Sequence, residues 1–483
     1  MSSAAEVSIP APPGVSPVGH AAPRFRVEVR ATLGLALPLA GAQLAQMGMG
    51  VTDTILLGSL GRDALAAGGL AAGVYFTVTG LFQNALAGVG ILVAHARGAD
   101  QPERIAPVVR AGVVMAALLA LPLVALLWNV ESVLNAIGQP PQLARDVTDY
   151  VRVLVFAAPA AMLLATLRTY LAAMNHPRTV LAVAIGGLVA NGVLNYGLIY
   201  GRFGLPELGY LGSATASAIV LWAMLGVTAA AILWHPGLRV PRAAPARHDK
   251  PIDWAVVAEL NRLGWPISIT FAVEVLLFVG GALVIGTMGN TPLAAHQVTI
   301  NIAAVAFMVP LGLGQAANVR VGYHLGAGLP AAARRAGFAA LAVCAAFNLL
   351  TATLMLAAPR GLAALYQLDP ARPADAEVIA LVVQLLAIGA FFQLFDGAQA
   401  VAAGILRGYK DTRVPMLLAG FSYWGIGAPA AWGLGITLDL GAAGVWWGLA
   451  LGLAAAAVLL CRRFLRVSGA QILLDAQKAT SRS

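Results

Sequence analysis

Twelve runs of about 20 or more largely apolar residues follow one another between positions 31 and 465, and that succession limits the chain to one environment. A hydrocarbon core needs about 20 helical residues to cross it. The runs fall near 31–58, 65–93, 107–129, 146–172, 179–203, 212–234, 262–289, 293–323, 332–358, 376–406, 414–436 and 441–465. Only helices and closed barrels satisfy backbone polar groups in lipid, and barrel strands alternate polarity. The run AGVVMAALLALPLVALLW (111–128) does not alternate, so an all-α polytopic membrane protein with twelve transmembrane helices is expected. Charged residues make up 11% of the chain against about 25% in soluble domains, which excludes soluble enzymes and nucleic-acid-binding modules. Disorder needs the opposite composition.

The expected organisation is a disordered tail over 1–30, an N-lobe of six helices over 31–234, a basic Pro-rich linker over 235–258, a C-lobe of six helices over 259–466 and a tail over 467–483. The net charge is +9. Assigned to the two sides of the membrane, the Lys and Arg residues divide 24 to 6 in favour of the side that holds both termini, which predicts cytoplasmic termini by the positive-inside rule. Cys344 and Cys461 lie far apart in apolar runs, so neither a disulfide framework nor a thiolate metal site is expected. The seven histidines show no i, i+4 pair, and none of the three lysines follows the Gly of a phosphate-binding loop. No enzymatic constellation is visible, and no cofactor is expected beyond a coupling ion.

The two halves repeat. A shift of 228 lays LGSLGRDALAA (57–67) on IGTMGNTPLAA (285–295), Pro38 on Pro266, Gly98-Ala99 on Gly326-Ala327, and Pro102 on Pro330. Six helices per unit bring both halves into the membrane in the same sense. Parallel repeats of this kind are found in alternating-access transporters with a site between the halves.

Three acids lie inside predicted helices: Asp53 near the end of helix 1, Glu274 near the middle of helix 7 and Asp396 deep in helix 10. A carboxylate at the bilayer centre costs about 2.5–3.5 kcal/mol on insertion scales, and such groups generally face a bundle interior or a cavity. Polar neighbours share their faces at helical spacing: Gln393 and Gln399 with Asp396, Thr270 with Glu274, and Gln43 and Gln46 with Asp53. Asn191 and Asn195 share a face of helix 5, Gln297 and Asn301 one of helix 8, while helix 2 adds Tyr75, Thr79 and Gln83. The repeat does not duplicate the acids, since Glu274 aligns with Gln46 and Asp53 with Gly281. A packing requirement would recur in both halves, whereas a coupling site need not. Carboxylate, amide and hydroxyl oxygens suit Na⁺, and a carboxylate alone suits H⁺. Arg168, Arg320 and Arg407 fall at predicted helix ends, which leaves an acidic interior expected to attract cations.

The segments AAHQVTINIAAVAFMVPLGLGQAANVRVGYHLGAG (294–328), GVTDTILLGSLG (50–61), FAVEVLLF (271–278) and LRGYKDTRVP (406–415) resemble the multidrug and toxic compound extrusion (MATE) transporters, in their NorM-like branch. The resemblance implies a V-shaped pair of six-helix lobes in a bacterial inner membrane that export organic cations in exchange for Na⁺ or H⁺, as a monomer and without nucleic acid. It implies that Asp53 with Asn191 and Asn195 forms an N-lobe polar site, and that Glu274 and Asp396 form the C-lobe cation site, where Na⁺ is a candidate ligand; all three acids, Glu274, Asp396 and Asp53, are expected to bind the coupling cation. Gln46, Gln83, Thr270, Gln297, Asn301, Gln393 and Gln399 complete the expected polar cavity. The competing reading is a flippase for a lipid-linked precursor on the same superfold. That substrate's pyrophosphate would call for interior arginines and its relatives commonly have extra helices, and neither is visible in the sequence.

Overall fold

The computed structural model describes residues 24–241 and 252–480, and among these there are no strands. Twelve long helical rods run in order: α1 (Phe25–Ser59), α2 (Arg62–Gly98), α3 (Pro102–Trp128), α4 (Pro141–Ala173), α5 (Pro177–Tyr200), α6 (Tyr210–Trp234), α7 (Trp254–Gly286), α8 (Asn290–Gly326), α9 (Pro330–Ala357), α10 (Pro373–Gly408), α11 (413–437) and α12 (Gly441–Thr480). Nine have the length and apolar composition of a membrane span, and α4 adds a tenth as two pieces bent by 51°. At 1.5 Å per residue, α1 and α11 are also long enough to cross. They are less apolar because α1 carries Gln43, Gln46 and Asp53, and α11 is glycine-rich.

Two of the expected boundaries shift. Phe25–Arg30 are not tail but the first turns of α1, held in place by the buried Glu28. The last rod continues through 467–480, because charged residues end an apolar run without ending a helix. Residues 1–23 of the expected tail, and 242–251 of the expected linker, lie outside the described residues.

Small residues set how closely the rods approach. On α12, Gly444, Gly448 and Gly452 recur every four residues, and a Cβ on any of them would meet the α11 backbone within 2.8 Å. This is the small-residue seam by which helices associate in lipid. Facing it, α11 widens into π-helical turns at Phe421–Gly427 and Gly433–Thr437.

Among the described residues the lobes meet from the end of the molecule that carries the termini up to about mid-rod, where Gly80 of α2 faces Phe271 of α7. At the end with the termini, Gly98 of α2 lies under the Tyr323 carbonyl of α8, and its repeat mate Gly326 lies under the His95 carbonyl of α2. The same symmetry relates Gly264 of α7, against Ala85, to Gly312 of α8, against Ala36 and Ala40 of α1. All cross-lobe hydrogen bonds among the described residues join this end, including His95 Nε2 to the Gly408 carbonyl at 2.8 Å. Eleven residues are close to three full helical turns, so Val51 on α1 and Asn301 on α8 share faces with the contacting Ala40 and Gly312. Both are exposed. The rods therefore diverge beyond the contact, and a cleft opens toward the end remote from the termini.

Candidate functional site

Each lobe holds a polar cluster around its acids. In the N-lobe, Gly41 and Gly48 let Leu181 and Leu188 of α5 close onto α1, which brings Asp53 against α5 and α6. Asn195 Nδ2 donates to Asp53 Oδ1 at 2.8 Å, and Ser217 Oγ donates to Asp53 Oδ2 at 3.1 Å. Asn191 Nδ2 donates to Ser217 Oγ at 3.2 Å. The carboxylate is 6% exposed, and its hydrogen-bond partners among the described residues are neutral dipoles, with no basic group among them. Ser217 is the member that sequence reasoning did not single out, since isolated serines are ordinary in membrane helices.

In the C-lobe, one amide joins two carboxylates from different rods. Gln399 Nε2 on α10 lies 3.0 Å from Glu274 Oε1 on α7 and 3.4 Å from Asp396 Oδ1 on its own rod. Gln399 Oε1 accepts from Tyr423 Oη at 3.0 Å. Asp396 is 6% exposed and Gln399 3%, while Glu274 is half-buried. Tyr423 sits in the first π-helical segment of α11, and nothing in the sequence marks it, because it belongs to no polar stripe. The local chemistry is a pair of acids sharing one donor. They can hold a proton between them or, with the Gln399 and Tyr423 oxygens, ligate a hard monovalent cation.

The remaining predicted residues are placed differently. Gln393 does not join the acid pair: Nε2 donates to Thr351 Oγ1 at 2.6 Å, and its main-chain carbonyl accepts from Asn348 Nδ2 at 3.0 Å. At 100° per residue, i and i+6 lie about 120° apart around a helix. Gln393 and Gln399 therefore flank Asp396 and turn to different neighbours. Gln83 Nε2 donates to the Ala161 carbonyl at 3.3 Å, an interhelical packing bond. Gln43 accepts from Arg168 at 2.8 Å. Gln46 is half-buried and makes no side-chain hydrogen bond among the described residues. Gln297 and Asn301 are exposed on the α8 face turned to the cleft, and Thr270 donates to its own helix at Pro266.

The expectation of an interior almost free of bases needs correction. Arg320 is fully buried, bonded to Glu28, because its helix continues six residues further. Arg407, two turns along α10 from Gln399, lines a small cavity with Thr270, Asp411 and Thr412, on the side of the acid pair nearer the termini.

Comparison with known proteins places this architecture. The MatE family model matches residues 38–197 and 266–432, one copy in each lobe. The chain is 48% identical over 441 residues to a probable multidrug resistance protein NorM of Burkholderia mallei, covering 91% of this chain and 93% of that protein. It is 47% identical over 455 residues to the multidrug resistance protein NorM of Burkholderia vietnamiensis, covering 93% and 96%. In fold it is similar to the eukaryotic MATE transporter AtDTX14, with a TM-score of 0.82 at 21% identity over 93% of this chain and 99% of that one. The chain belongs to the MatE family of multi-pass membrane transporters, which are not enzymes, and within it to the NorM-like branch.

Proposed function

We propose that the protein is a secondary antiporter that exports organic cations in exchange for Na⁺ or H⁺, with its termini in the cytoplasm. The observation that carries this reading is the Glu274–Gln399–Asp396 cluster, two acids from different rods sharing one amide donor. Such a cluster favours a cation over an empty state, because two neighbouring carboxylates repel unless one is neutralised. Drug and coupling ion compete for these carboxylates: arrival of the organic cation releases the ion, and entry of the ion from outside releases the drug. The exposed cleft residues Gln297 and Asn301 offer hydrogen bonds to the drug, and Asp53 gives the N-lobe a second, separate acid. With the 24 to 6 division of basic residues, the closed seam is cytoplasmic and the cleft opens outward.

The flippase reading is less well supported. Pyrophosphate recognition calls for converging guanidinium groups, whereas Arg168 is tied to Gln43 and Arg320 to Glu28.

The test uses purified protein in sealed vesicles with tetraphenylphosphonium as the organic cation. A Na⁺ gradient or a pH gradient is imposed alone, with the membrane potential clamped. Accumulation against the substrate's own gradient under one of the two is expected. Equilibration without accumulation under both would overturn antiport.

A further inference from the structure

Among the described residues the closed seam contains one fully buried side-chain ion pair, and it belongs to neither acid site. Glu28 lies in the first turn of α1, Arg320 and His324 one turn apart near the end of α8. All three are at most 1% exposed. Arg320 grips the Glu28 carboxylate with two nitrogens, Nη2 to Oε1 at 2.7 Å and Nε to Oε2 at 3.2 Å. His324 Nε2 lies 2.8 Å from Oε1 and 3.2 Å from Arg320 Nη2. The partners are 292 and 296 residues apart in sequence and sit on opposite lobes. They lie beside the crossing where Gly98 and Gly326 let the ends of α2 and α8 touch.

The internal repeat separates packing from function here. The glycines of the seam occur in both halves, as a symmetric contact requires. The ionic group occurs once: a shift of 228 lays Glu28 on Val256, Arg320 on Leu92 and His324 on Ala96. Apolar side chains therefore suffice to pack the mate of this site, and the charges need another explanation.

We propose that Glu28, Arg320 and His324 are the latch that holds the lobes together at the cytoplasmic end, and that this latch must break for the drug to enter from inside. This rests on the alternating-access reading of the same two lobes. The contact exists only while the lobes touch, so it adds free energy to the outward-open state alone. Its loss must shift the equilibrium toward the inward-open state. An ion pair suits this task better than an apolar contact. When the seam parts, water hydrates both charges, so the latch opens without exposing apolar surface, whereas a closed seam that has lost one partner holds an uncompensated buried charge. α1 also carries Asp53, 25 residues further on, so one rod joins the latch to the N-lobe acid.

The experiment measures the lobe separation directly. Nitroxides are attached at Glu103→Cys and Ala331→Cys, exposed positions just beyond the ends of α2 and α8, in a background carrying C344A and C461A. Distances are read by double electron–electron resonance in lipid nanodiscs. With E28Q, the ratio of long to short distances should rise at least tenfold over the unsubstituted background. R320K, which keeps the charge but not the two-nitrogen grip, should shift it in the same direction by less. An unchanged distribution in properly folded E28Q overturns the latch. If E28Q does not yield monodisperse protein, R320K decides in the same way, and misfolding of both makes the group a folding staple and also overturns it. The distances need neither substrate nor ion. A shift without any gradient-driven transport would therefore uphold the latch and refute the antiport, and transport with unshifted distances would do the reverse.

Discussion

Asp396→Asn should leave a protein that inserts, purifies and elutes as the parent does, yet carries out no gradient-driven export. The side chains are nearly isosteric, and an Asn oxygen can still accept from Gln399, 3.4 Å away. A neutral amide costs less to hold in the middle of a membrane rod than a carboxylate, whose insertion cost is about 2.5–3.5 kcal/mol, so stability should hold or rise. What disappears is the group that exchanges its cation. Accumulation of tetraphenylphosphonium under either gradient should fall to the level of protein-free vesicles, a loss of at least tenfold. Glu274→Gln should weaken export by less, since Asp396 remains to hold the ion. Export at the parental rate by well-folded D396N would remove Asp396 from the mechanism.

Gly98→Ala should cost most of the transport activity without touching any polar group. A Cβ on Gly98 would stand 1.9 Å from the Tyr323 carbonyl oxygen, a backbone atom that cannot swing aside, and one on Gly326 would stand 2.1 Å from the His95 carbonyl oxygen. Overpacking of this kind costs about 1–3 kcal/mol. Here the cost falls on the closed seam alone, because the two ends are apart when the lobes open inward. That penalty corresponds to a shift of roughly 5- to 150-fold toward the inward-open state, and export should drop by a comparable factor. Gly326→Ala should behave alike, being its symmetry mate. Gly34→Ala and Gly186→Ala are the controls, since nothing lies within 4 Å of a Cβ at either position. Equal rates for G98A and the controls would show that the seam does not need to close.

Much of this was legible in the sequence, for reasons particular to membranes. Lipid forces apolar runs into helices, so the rods could be placed from composition. The repeat could be read because the seam glycines and the prolines Pro38 and Pro266 serve the same role in both lobes. The acids stood out because an apolar background makes each one costly. What escaped notice depends on azimuth and on contacts distant in sequence. The spacing of Gln393, Asp396 and Gln399 suggested one stripe, yet such a row winds around the helix, and only Gln399 reaches Glu274. Tyr423 and Ser217 bond to the acid clusters only because α11 and α6 pack where they do. Glu28 fell in a stretch expected to be tail, and Arg320 at an expected helix end, so neither could be recognised as buried before its partner was known.

Competition between drug and ion is the central claim, and equilibrium binding tests it most directly. Labelled tetraphenylphosphonium is titrated onto purified protein while Na⁺ is raised at fixed pH, and then while pH is lowered without Na⁺. For the ion that couples, the apparent dissociation constant should rise in proportion to ion concentration above its own half-saturation, tenfold for each tenfold excess. In D396N it should stay flat. An affinity in the parent protein that is indifferent to both ions, or that tightens as either is added, would contradict exchange at the Glu274–Asp396 site.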